Sequence, residues 1–135
     1  MLHFEDNLSI LILLAFVCIT FLQSSLDKVL NWKDNLQWLK GHFEKIIFGK
    51  MVPVLLLVLT LTELTAGVLG IWGIMDIIHY NQYQMGLNAA VVAGIALLML
   101  LLGQRLNKDY DGARTVVIYL VPVAILIFLL EMSRW

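Results

Sequence analysis

Residues 51–75 read MVPVLLLVLTLTELTAGVLGIWGIM, an apolar run interrupted by a single ionisable side chain, Glu63. A hydrocarbon core about 30 Å thick is crossed by roughly 20 helical residues, so this stretch is long enough to span a bilayer once. Working outward, three more runs meet the same condition: about Leu8 to Leu26 without a charge, Met85 to Gly103, and Ala113 to Met132 with Pro122 near its middle. Strands of a membrane barrel would alternate apolar and polar residues over about ten positions, and these runs do not. The expected fold is an all-α membrane protein, a bundle of four transmembrane helices filling one domain over residues 1–135, with spans near 8–26, 51–75, 85–103 and 113–132.

Composition agrees. Of 135 residues, 61% are hydrophobic and 14% charged, with a mean hydropathy of +0.87, whereas soluble domains carry about 25% charged residues. The net charge of −1 gives no basic surface of the kind nucleic acid requires. The lone cysteine, Cys18, has no partner for an internal disulfide or a dithiol centre. The first run lacks the basic flank of a signal peptide, having Glu5 and Asp6 instead, and no small-x-small cleavage pattern follows it, so it is expected to stay in the mature chain.

Eight of the nine Lys and Arg residues sit in two connections: Lys28, Lys33, Lys40, Lys45 and Lys50 between the first two runs, and Arg105, Lys108 and Arg114 between the last two. Only Arg134 lies on the other side. The positive-inside rule places both connections in the cytoplasm and both termini outside, in a bacterial inner membrane. The first connection is more than a loop. From Asp34 to Phe48 the apolar residues Leu36, Leu39, Phe43, Ile46 and Ile47 recur at helical spacing, with Trp32 and Trp38 at the start. This is the pattern of a short amphipathic helix lying in the interface, or packed on the end of the bundle.

Glu63 stands twelve residues into its run, near the expected midplane. An ionisable group at that depth costs roughly 2.5–3.5 kcal/mol on insertion scales, so it should face the bundle interior. The neighbouring residues agree: Glu63, Gly67, Gly70 and Ile74 share one stripe, and Thr62, Ala66 and Gly70 form an overlapping row of small residues of the kind that lets membrane helices approach closely. Matching depths brings Cys18 and Thr20 to its level and leaves Lys28 and Arg105 about 15 Å away. With no counter-ion from this chain, the expectation is an uncharged, protonated acid. It would serve as interhelical glue, as a proton-bearing or ligand-contacting group, or as the mate of a cation from a partner subunit.

A second polar layer gathers where the first and third runs end. Both exits read Leu-x-x-x-Leu-Asx-Lys, at Leu22–Lys28 and Leu102–Lys108, a pattern that a duplicated two-helix unit would leave. Asp27, Lys28, Gln104, Arg105, Lys108, Asp109 and Asp111 are expected to gather in a polar cluster there that anchors the helix ends, with Gln104 and Arg105 also ligand candidates beside Glu63. His3, His42 and His79 are far apart, and Asp76 with His79 supplies too few ligands for a metal. Pro122 frees the carbonyl of Ile118 and should bend the last helix.

The order of these features resembles the DoxX-like family of small four-helix bacterial membrane proteins over most of the chain. It comprises a first helix leaving through Ser24-Ser25-Leu26-Asp27-Lys28, an amphipathic segment, Glu63 followed by Ala66-Gly67 and Gly70, then Gly103-Gln104-Arg105-Leu106-x-Lys108-Asp109-Tyr110-Asp111-Gly112-Ala113 and a last helix. Where the family shows a Gly near the first exit, this chain has Ser25. It also lacks the paired cysteines of more distant four-helix relatives such as vitamin K epoxide reductase. The resemblance implies an inner-membrane subunit or accessory protein, sometimes linked to quinone-coupled sulfur or redox metabolism, and family membership alone carries no site.

Three functions stay open: a non-catalytic subunit or assembly factor of a larger envelope complex, a quinone-interacting component of a membrane oxidoreductase, and an oligomeric transporter or channel. The expected partners are the lipid bilayer and other membrane subunits or further copies of the chain. No catalytic residue, metal or resident cofactor is called for, with quinone the one candidate ligand. The charge asymmetry makes a direct prediction. With Cys18 replaced, single cysteines at Asn35 and Asp111 should resist an impermeant thiol reagent added to intact cells, and one at Gln82 should react. The reverse pattern would overturn the orientation.

Overall fold

The computed structural model describes residue 7 to residue 133 apart from residues 35, 38–51 and 107. Four helices long and apolar enough to cross a membrane account for almost all of it: α1 (Leu8–Leu30), α2 (Val52–Tyr80), α3 (Gln84–Leu106) and α4 (Tyr110–Ser133). The chain is therefore a multi-pass membrane protein built as an all-α four-helix bundle. In lipid the backbone has no water to bond with, so each crossing must satisfy its own N–H and C=O groups, and a helix does this within one segment. Every helix outruns the apolar stretch that announces it, α1 to Leu30 and α2 to Tyr80, because helical bonding continues into the interface after hydrophobicity has ended. Of the amphipathic segment expected over Asp34–Phe48, residues 34, 36 and 37 are helical and the rest lies outside the described residues.

Consecutive helices run antiparallel and pack closely along α1–α2, α2–α3 and α3–α4, while α1 touches α4 over a much smaller area. The two described turns are built from sequence signals. After α2, Asn81 takes the left-handed conformation (φ 54°) and donates its N–H to the carbonyl of Ile77 at 3.1 Å, an αL termination in which Asn stands where Gly is commoner. Tyr83 Oη donates to Asn7 Oδ1 at 2.7 Å, and Asn7 Nδ2 donates to Asn81 Oδ1 at 3.1 Å, so this turn is tied to the start of α1. We call this the hairpin end.

At the opposite, basic end, α3 stops in a Schellman motif. Lys108 is left-handed (φ 58°), its N–H bonds the carbonyl of Arg105 at 3.1 Å, and Asp109 N–H bonds that of Gln104 at 2.8 Å. Asp109 then caps α4, its Oδ1 accepting the N–H of Gly112 at 3.1 Å while its carbonyl receives the first helical bond from Ala113. A Cβ on Gly112 would stand 2.6 Å from Asp109 Oδ2 and 2.7 Å from Gln104 Oε1, so a larger residue there would displace the ends of these two side chains. Pro122 sits inside an uninterrupted α4.

The core consists of one apolar cluster from all four helices, including Leu14, Val17, Ala66, Ile77, Ala93, Leu97, Val123 and Leu126. The small-residue stripe of α2 faces α1: a Cβ on Gly67 would lie 2.6 Å from Leu22, and one on Gly70 2.6 Å from Cys18 Sγ. Ala66 is fully buried, whereas Thr62 lies at the edge of the stripe and bonds the carbonyl of Val58. A closer contact went unread in the sequence. Gly73 of α2 meets Gly86 of α3 backbone to backbone, with a Cβ on Gly73 reaching 2.5 Å from Gly86 Cα. Leu22 can rotate to relieve Gly67, but a backbone cannot move aside. Gly73→Ala should therefore destabilise the bundle more than Gly67→Ala, with the overpacking cost of about 1–3 kcal/mol typical of well-packed cores. Denaturant titration in mixed micelles measures both, and equal or reversed losses would refute the backbone contact.

Candidate functional site

The contacts along α2 set the level of Glu63. Gly67 rests on Leu22 and Gly70 on Cys18, so in antiparallel register Glu63, one turn before Gly67, lies opposite the Ser25–Leu26 step of α1. The expectation that Cys18 and Thr20 share its level is wrong by more than a turn. Glu63 itself lies three residues before the middle of α2, about 4.5 Å along the axis towards the basic end. The error arose from aligning the apolar runs by their ends, although the first turns of α2 extend past the end of α1.

The expectation of a missing counter-ion is wrong as well. Glu63 is completely buried, and Lys28 Nζ stands 3.1 Å from its Oε1 and 3.3 Å from its Oε2. Elementary helix geometry explains the pairing. Cα–Cβ bonds tilt towards the helix N-terminus. On α1 that tilt carries Lys28 inwards from the basic end, and on antiparallel α2 it carries Glu63 outwards towards that end, so the two side chains converge. Lys28 also donates to Ser24 Oγ at 2.6 Å, one turn back along its own helix. Its side chain is only 17% exposed, and its ammonium reaches down to the carboxylate. Ser24 Oγ and the two carboxylate oxygens present three acceptors to the three N–H groups of the Lys28 ammonium.

Glu63 also lines the inner end of a cleft of about 810 Å³ where α1 and α4 part. Ile19, Thr20, Gln23, Ser24, Asp27 and Leu30 of α1 form one wall, Leu97 and Leu100 of α3 the back, and Tyr119 of α4 the other side. Beyond the cleft the Tyr119 ring leans on Phe16, centroids 6.0 Å apart, and joins the two helices. The cleft is partly open, and its lining is mostly apolar with a few polar groups.

The other residues singled out in the sequence are spread along the basic end. Gln104 contributes its carbonyl to the α3–α4 turn, Arg105 lies 5.2 Å over the ring of Tyr110, Lys108 occupies the left-handed turn position and Asp109 caps α4. Asp27 accepts from Asn31 Nδ2 at 3.0 Å, and Asp111 pairs with Arg114 at 3.5 Å in the open. Among the described residues no ion pair joins α1 to α3 or α4, so the expected polar cluster is a set of separate local contacts. The matched exits differ too: Lys28 is inside α1 and Lys108 is beyond α3. Neither Gln104 nor Arg105 lines the cleft. No group of three metal-ligating side chains occurs among the described residues. Comparison of the chain with family models, curated proteins and solved structures finds no match.

Removing one member of a buried pair leaves a charge without compensation and typically costs about 3–5 kcal/mol, whereas replacing both with apolar groups is often neutral or better. Lys28→Met should therefore be strongly destabilising alone, and Lys28→Met combined with Glu63→Leu should recover most of the loss. Unfolding of the native protein, Lys28→Met, Glu63→Leu and the double variant in mixed micelles closes the cycle, and additive losses in the double variant would show that the two side chains do not interact.

Proposed function

We propose that the chain is a DoxX-like, non-catalytic subunit or accessory factor of a larger complex in the bacterial inner membrane, with its basic end in the cytoplasm. The observation carrying this reading is the commitment of Glu63 to Lys28. The membrane-embedded carboxylate on which catalysis or proton transfer would depend is matched by a cation from the neighbouring helix, which makes it a part of the bundle's architecture. The polar residues of the basic end are likewise spent on turns and caps that fix the helix ends. A scaffold of this kind presents lipid-facing helices to other membrane subunits.

The test is isolation of the tagged chain from native membranes at native expression, in mild detergent, with mass spectrometry of the proteins recovered. A second membrane protein in fixed stoichiometry is expected, and cross-linking in the intact membrane should place it against this chain. A chain that emerges alone, with no cross-linked neighbour, contradicts the proposal. The cleft favours one alternative, a quinone-interacting component of an oxidoreductase, because Glu63 is among the residues lining a mostly apolar recess large enough for a ring head group. Quinone recovered by solvent extraction of the purified protein, in stoichiometric amount, would support that alternative.

A further inference from the structure

We propose that the junction of α3 and α4 holds one anionic phospholipid, its phosphate between Arg105 and Arg114 and its acyl chains along the exposed seam of the two helices. The inference goes beyond the subunit reading and does not rest on it. Its starting point is the placement of the cations. Arg105, in the last turn of α3, stands 5.2 Å over the ring of Tyr110, the first residue of α4. A guanidinium held over a ring keeps its in-plane N–H groups for a bidentate phosphate. Arg114 is one turn further along α4 than Tyr110, so it shares that face, and its side chain leans back towards the helix start. Two guanidinium groups therefore flank one exposed tyrosine at a helix start, where aromatic residues mark the membrane interface.

The turn between the helices leaves these charges unspent. It is built from the carbonyls of Gln104 and Arg105 and from the carboxylate of Asp109, which accepts the N–H of Gly112. Among the described residues Arg105 and Lys108 have no carboxylate within ion-pair distance. Arg114 pairs with Asp111 at 3.5 Å, but the two side chains are 75% and 92% exposed, and a pair so open holds Arg114 only weakly. A phosphate diester supplies the anion that these cations lack. The surface below them selects the rest of the ligand. Leu102 and Leu98 lie one and two turns back from Arg105 on α3, Val117 and Val121 one and two turns beyond Arg114 on α4, and all four are exposed. Because Arg105 reaches Tyr110, these two apolar stripes begin side by side and run from the basic end into the bilayer. Cations at the head of paired apolar stripes fit a charged head group carried on hydrocarbon chains. An acidic segment of a soluble protein would leave the stripes uncovered.

The experiment titrates the full chain in detergent micelles with phosphatidylglycerol and with phosphatidylethanolamine of the same acyl chains, and reads bound lipid by native mass spectrometry. Phosphatidylglycerol should bind about tenfold more tightly. Arg105→Gln and Arg114→Gln should each weaken its binding about fivefold, the worth of one basic residue at an anionic surface, and leave phosphatidylethanolamine unchanged. Asp111→Asn should tighten phosphatidylglycerol binding, a gain that a damaged fold cannot give. Lys33→Gln removes one positive charge from the other connection and should have little effect. In nanodiscs, a phosphatidylglycerol with a photoactivatable acyl chain should cross-link chiefly to the peptides containing Leu98 and Val117. Equal affinity for the two lipids, a loss on Lys33→Gln matching that on Arg105→Gln, or cross-links spread evenly over the four helices would each overturn the proposal.

Discussion

A carboxylate buried among membrane helices has to be matched, and the contact between Lys28 and Glu63 is the match on which this bundle's arrangement turns. The pair fixes more than charge. It holds α1 and α2 in one antiparallel register, the same register that seats Gly67 on Leu22 and Gly70 on Cys18. A slip of one turn along either helix would break the ion pair and drive side chains into the glycine-lined contact. Polar and steric constraints thus select the same alignment, and this agreement is the mark of a sequence that specifies one structure.

From that register the remaining architecture follows. With α1 set against α2, the backbone contact of Gly73 with Gly86 draws α3 onto α2, and the short Schellman-and-cap junction at Lys108 and Asp109 returns α4 along α3. Three helix pairs are closed tightly in this way. The fourth seam, between α1 and α4, is packed over a smaller area that includes the Phe16–Tyr119 ring contact, and it is there that the cleft opens with Glu63 among its lining residues. The connectivity accounts for the asymmetry, because α1 and α4 are the pair with no turn between them.

Much of this was legible in the sequence, and what was not has definite causes. The four crossings could be read because the bilayer imposes a length and the apolar runs meet it. The packed face of α2 could be read because small residues at i, i+4 and i+7 around Gly67 and Gly70 leave a one-dimensional trace. The partner of Glu63 could not be found by counting residues from the membrane boundary. Side-chain reach and the opposite tilt of Cβ atoms on antiparallel helices bring Lys28 to it, and that signal was available to anyone who applied helix geometry to the charged residues. Gly73 and Gly86 were missed because their contact exists only between two helices whose relative register the sequence does not state. Gln104, read from the sequence as a ligand candidate, instead gives its carbonyl to the turn that ends α3, and Asp109 after it caps α4.

The central claim is that Glu63 is an ionised carboxylate held by Lys28 inside the bilayer, and isotope-edited infrared spectroscopy of the protein in lipid tests it most directly. With glutamate labelled, the difference between the native protein and Glu63→Gln at neutral pH should show a carboxylate antisymmetric stretch assigned to Glu63, and Lys28→Met should perturb that same band. A protonated carbonyl band for Glu63 in the native protein, indifferent to Lys28→Met, would contradict the account.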